Sequence, residues 1–195
     1  TTQQGRLLAD SLNSKANDSK NPNIPLTISN RHFTPYIAFR YTEPFSQDAV
    51  AQMLNDGIQD AVVLTLYPQY SCSTTGSSLN DLTKKIKNLD PTNKINWSVI
   101  DRFPTNDKLA NVIADHIIEG LEKNYSDLST RDDVVLLFSA HSLPMVVVNR
   151  GDPYPGEVAA SVSKVMEKLP QKLIDYEIKN KKKLISGNRI PYRIV

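Results

Sequence analysis

The stretch VVLLFSAHSLPMVVVNRGDPYPGEVAASVSKVMEKL, residues 134–169, decides the fold. Its first five residues, 134–138, are an apolar run too short for an ordinary helix, so they predict a strand buried on both faces. A loop containing SAHSLP and GDPYP follows, and from 155 to 169 apolar residues return at helical spacing. Working outward, the same alternation repeats towards the N-terminus. PYIAF (35–39), AVVLTL (61–66) and INWSVID (95–101) read as strands. Between them lie helices over 46–56, with Ser46 as cap and Gly57 as stop, over 77–88, and from a Thr105 cap to Lys123. Short apolar strands alternating with helices predict an α/β fold with a parallel sheet.

The flanks differ. Leu7, Leu8 and Leu12 place a helix over 1–13, followed by a polar, Pro-containing linker over 15–33. The domain so defined runs from 1 to 169. Residues 170–188 are lysine-rich and read as an insertion, the 181–183 lysine run being a solvated face, and RIPYRIV (189–195) begins a further strand that the chain ends inside.

With 195 residues the chain suits one domain or one plus part of another. A net charge of +2 argues against nucleic acid or an anionic membrane as an electrostatic partner. The single cysteine excludes an internal disulfide framework and suits a reducing compartment. No apolar run approaches the roughly eighteen residues of a membrane span, and TTQQGRLLAD resembles neither a signal nor a transit peptide.

In parallel α/β sheets ligands bind beyond the carboxyl ends of the strands. Four such ends carry chemistry here: Arg40 and Tyr41, the loop from Tyr67 to Thr75, Asp101 and Arg102, and Ser139 with His141. His141 is the leading residue, because imidazole is both a base near neutral pH and a ligand for borderline divalent metals. His32 and His116 lack that context. SAHS has no G-x-S-x-G elbow, which argues against a serine hydrolase, and STTGSS lacks the P-loop lysine, leaving a helix N-cap as its plainer reading. Arg40 reads equally as a salt-bridge residue, and Trp97 as core. Cys72 reads either as a buried inert thiol or as one ligand of a site completed elsewhere, since clusters and structural zinc need about four.

The segments FRYTEPF, YPQYSCSTTGSSLN, WSVIDRFPT and LLFSAHSLPMVVVNRGDPYPGEV together resemble the eukaryotic ferrochelatases, over residues 36–169 and in family order. The resemblance implies Rossmann-like α/β halves, a parallel sheet flanked by helices, and insertion of ferrous iron into protoporphyrin IX with release of two pyrrole protons. It implies that His141 accepts a pyrrole proton, ligates the metal, or both, a role that suits an imidazole beside a distorted macrocycle. Arg40 and Tyr41, with Ser139, match the porphyrin pocket, Tyr67 matches a tyrosine near the metal's access route, and Cys72 matches the isolated cysteine of members that bear a [2Fe–2S] cluster. It further implies a homodimer, peripheral membrane association and the matrix side of the mitochondrial inner membrane.

Several positions depart from the family pattern. Phe103 stands where many relatives have Trp, and Asn106 and Asp107 stand where animal forms have paired histidines. The opening strand, the membrane-contacting lip and the second half with its glutamate and remaining cluster cysteines are not found in these residues, so the expectation is a central portion, first domain incomplete and second largely missing, inactive alone. The competing expectations are a cobalt chelatase acting on another tetrapyrrole and a non-catalytic porphyrin-binding fragment.

Overall fold

The computed structural model describes residues 1–17, 31–124, 134–181, 184 and 190–195. Eleven elements follow one another there: α1 (Thr2–Ala16), α2 (Ser46–Asn55), β1 (Asp60–Leu64), a π-helical turn (Cys72–Gly76), α3 (Ser77–Leu89), β2 (Asn96–Ile100), α4 (Asp107–Asn124), β3 (Leu136–Phe138), α5 (Met145–Asn149), α6 (Tyr154–Asn180) and β4 (Tyr192–Ile194). The architecture is α/β with short parallel sheets and flanking helices. Most of the expected linker, positions 182–183 and 185–188 of the expected insertion, and residue 189 at the start of the last expected strand lie outside the described residues.

The chain divides into two compact units, residues 1–63 with 76–99, and residues 64–75 with 100–195. In the first, α1 is tied to the end of the linker by Asn13, whose amide donates to the Phe33 carbonyl at 3.0 Å and accepts from the Phe33 N–H at 2.7 Å. The expected PYIAF strand is reduced to a single bridge at Phe39. Its N–H is taken by the Pro44 carbonyl at 2.8 Å, so the segment folds back on itself instead of entering a sheet. Ser46 is the first helical residue rather than the cap. The Asp48 and Ala49 N–H groups go to the Phe45 carbonyl at 3.0 and 3.2 Å, and the Asp48 carboxylate in turn receives the Phe45 N–H at 2.9 Å. Gly57, at φ 69°, closes α2 in the left-handed region as expected.

In the second unit β3 and β4 pair in parallel, Leu136 opposite Tyr192 and Phe138 opposite Ile194. Behind them α4 and α6 enclose the main core. Ala110, Ala114, Ile118 and Leu121 line one face of α4, and Val165, Leu169 and Leu173 line α6. The alanines leave room for close helix approach, and the larger residues fill it. α4 is capped by Asn106, whose side-chain oxygen accepts the Lys108 and Leu109 N–H groups at 2.9 and 3.1 Å, not by Thr105.

α6 runs well past Leu169. The apolar stripe Val162, Val165, Leu169 and Leu173 continues across Pro170, which is itself exposed, so core packing outweighs the proline's cost and residues 170–180 are helical. Lys181, at φ 52°, ends the helix. The strands also differ from expectation, being open on one side rather than buried on both. Val62 on β1 is 60% exposed and Leu137 on β3 is 65% exposed, because the described helices cover one face only.

Candidate active site at the strand ends

The loop after β1 owes its course to two carboxylates on the turn that opens α6. Glu157 accepts the Tyr70 N–H at 2.7 Å and the Arg102 guanidinium at 2.6 Å. Arg102 also pairs with Asp101 and stacks over the Tyr70 ring, 4.2 Å from its centre. Hydrogen bonding to Asp101 and Glu157 outweighs burial and holds the guanidinium above its ordinary pKa. The Gln69 amide donates to Ser161 Oγ at 2.8 Å.

Asp152 is the second anchor. One of its oxygens accepts Ser71 Oγ at 3.0 Å and the Cys72 N–H at 2.8 Å, while the other accepts the Tyr154 N–H at 3.0 Å. Burial alone would raise this carboxyl, but the bonds from Cys72, Tyr154 and Ser71 prevail and lower it. The reciprocal effect falls on Cys72, whose thiol is raised chiefly by its bond to Asp152 and further by burial. Cys72 is exposed, which corrects the buried-thiol reading, and stands at the head of the π-helical turn. A carboxylate lying against it favours the protonated thiol.

His141 is exposed and follows the end of β3, where Ala140 donates to the Val195 carbonyl at 2.8 Å. Its own main-chain N–H donates to the Tyr154 hydroxyl at 3.2 Å. Ser139, also exposed, borders a cavity of about 220 Å³ walled by Phe138, Tyr154, Val158 and Ser161. Tyr67 is exposed, with its N–H on Thr65 Oγ1 at 3.2 Å. Tyr67, Cys72, Arg102, Ser139 and His141 all belong to the second unit. Arg40 and Tyr41 belong to the first unit, where the Arg40 guanidinium lies over the Tyr41 ring at 4.8 Å and donates to Ser77 Oγ. Tyr41 is 80% exposed.

Asp152, Tyr154 and Glu157 organise this arrangement and were not singled out in the sequence. The available signal was the GDPYPGE turn itself, acidic residues at the start of a long helix where carboxylates are favoured.

A parallel α/β protein with an imidazole and hydroxyls beyond its strands is of the class that handles a ligand at the carboxyl rim. The ferrochelatase family model matches residues 1–182, and the chain belongs to that family. It is 54% identical over 134 residues to the mitochondrial ferrochelatase of Gallus gallus, covering 69% of this chain and 33% of that protein. The Homo sapiens mitochondrial ferrochelatase is 52% identical over 134 residues, covering 69% of this chain and 31% of that protein. That of Dictyostelium discoideum is 39% identical over 186 residues, covering 87% of this chain and 40% of that protein. The chain spans about a third of the length of the first two relatives.

Proposed function

We propose that this chain forms part of an enzyme that inserts ferrous iron into protoporphyrin IX, the iron and the macrocycle being its substrates. The observation that carries the reading is His141, a solvent-facing imidazole at the end of a core strand with its main chain held from both sides. Metallation replaces two pyrrole protons by one Fe²⁺. Neutral imidazole takes up a proton near physiological pH, so His141 is assigned as an acceptor of a pyrrole proton and a transient ligand of the entering metal. The second proton needs a further base, which the family resemblance assigns to residues outside this chain.

Arg40 and Tyr41 bind the macrocycle in this reading. A guanidinium matches the carboxylates of the propionates, and an exposed phenol ring offers a flat face to a flat ligand. Ser139 lies beside His141 in sequence and supplies a hydroxyl to the same ligand edge, while Tyr67 stands near the metal's approach.

A [2Fe–2S] cluster does not fit the chain by itself. Such a cluster takes four ligands, the sequence has one cysteine, and no group of three metal-ligating side chains occurs among the described residues. Cys72 is proposed as one thiolate of a site completed elsewhere, and it must give up its bond to Asp152 and its proton to serve. Mitochondrial location on the matrix side, peripheral membrane attachment and a homodimer are proposed on the family relationship. No helix among the described residues is long and apolar enough to cross a membrane.

The test is anaerobic metalloporphyrin formation from protoporphyrin IX and ferrous iron, using the full open reading frame that encodes this chain, with His141→Ala beside it. Activity in the parent and its loss by about 100-fold or more in the variant is the expected result. Activity with cobalt but not iron would overturn the choice of metal, and porphyrin binding without metallation in the parent would overturn the enzyme.

A further inference from the structure

His141 faces solvent, so its reach depends on how the backbone under it is held. Among the described residues, two hydrogen bonds fix that backbone. Ala140 donates to Val195 at 2.8 Å, which continues the pairing of β3 with β4, and His141 donates to the Tyr154 hydroxyl at 3.2 Å. The second bond comes from outside the sheet and sets the direction in which the chain leaves it.

Tyr154 is suited to this task by its own restraints. It is the first residue of α6, its N–H is received by Asp152 at 3.0 Å, and its half-buried ring walls the cavity shared with Phe138, Ser139 and Val158. A phenol has only two side-chain rotors, so a ring packed at its base delivers the oxygen to a narrow region. Asp152, through its other oxygen, also holds Ser71 and the Cys72 N–H. The Cys72 loop and the His141 loop are therefore joined through one turn, residues 152–154.

We infer that Tyr154 is a positioning residue for His141, with Asp152 as its anchor, so that the imidazole meets the pyrrole nitrogens at a fixed place. The inference rests on the proton-acceptor role given to His141 above. It adds a second residue whose action on the reaction passes wholly through the first.

Tyr154→Phe in the full open reading frame is the test, because it keeps the ring in the cavity and removes only the oxygen. Hydrogen exchange at the His141 amide should become about tenfold faster. The kcat for iron insertion should fall about tenfold, since small misplacements of a reacting group are costly, with the porphyrin KM within about twofold. Leu173→Val, a core change distant in sequence, should lower Tm and change neither exchange at His141 nor kcat. Unchanged exchange and kcat in Tyr154→Phe would overturn the inference, as would an equal loss of kcat in Leu173→Val. If the parent inserts no iron but the exchange rate rises as expected, the iron-insertion reading falls and the Tyr154–His141 support stands; if exchange is unchanged, the support falls whatever the activity.

Discussion

The two units of this chain hold their candidate site residues in different ways. In the second, the loops bearing Cys72 and His141 are tied by Asp152, Tyr154 and Glu157 to the start of α6, and α6 is itself sealed into a core in which Leu169 is 1% exposed. In the first, Arg40 and Tyr41 stand on an exposed turn with Ser77 as the guanidinium's partner, and α3 buries none of its residues fully. Proton transfer requires atoms placed to within a fraction of an ångström, whereas gripping a large flat ligand tolerates adjustment. In the proposed reading the anchored unit carries the base, and the looser one carries the grip.

The largest expected effect tests that division directly. His141→Ala should lower kcat in the full open reading frame by about 100-fold or more, whereas Arg40→Ala should act mainly on the porphyrin KM. Steady-state kinetics in which Arg40→Ala removed more kcat than His141→Ala would break the comparison. Core packing comes next. Leu169→Ala should cost about 3 kcal/mol, and Leu79→Ala on the half-buried face of α3 about 1 kcal/mol, both read from urea midpoints at constant slope. Near-equal costs would mean that the first unit is as tightly packed as the second.

Glu157→Gln keeps an acceptor for Tyr70 but loses the charge facing Arg102, a pair partly open to water, so about 1 kcal/mol is expected. Titration gives the smallest effects and separates the units by pH. The Tyr36 phenol in the first unit is pushed up to about 12 by burial and its bond to Asp56, so the stability it contributes is intact below 10.0 and lost as pH rises through about 12. The ultraviolet difference between the parent and Tyr36→Phe should show phenolate forming there. In the second unit the lowered Asp152 contributes stability above its ordinary 3.8, which is lost as pH falls through its depressed value. Faster exchange at the Cys72 amide on acidification below that point, abolished in Asp152→Asn, would check it.

How far the site could be read in advance depended on which residues were chemically conspicuous. His141, Arg40 and Cys72 stand out by type and by their place after an apolar run. Tyr154 and Glu157 do not, because nothing local says that a phenol thirteen positions further along returns to the amide of His141. The caps show the same limit on a smaller scale. Ser46 and Thr105 are good caps by type, yet Asp48 and Asn106 do the capping because their side chains happen to reach the open N–H groups.

The family was legible only through the resemblance carried by segments such as LLFSAHSLPMVVVNRGDPYPGEV. The alternation of short apolar runs with amphipathic helices was enough for the sequence to determine an α/β chain and the end of the strand on which an imidazole would stand. Those features follow from periodicity and residue type, which act within a few neighbouring residues. Tertiary structure alone decided that PYIAF closes on Pro44 instead of joining a sheet, that α6 continues through Pro170, and that the 152–154 turn supports both Cys72 and His141. Each of these is a competition between a local preference and contacts from distant parts of the chain, and packing or hydrogen bonding across that distance outweighed the local term.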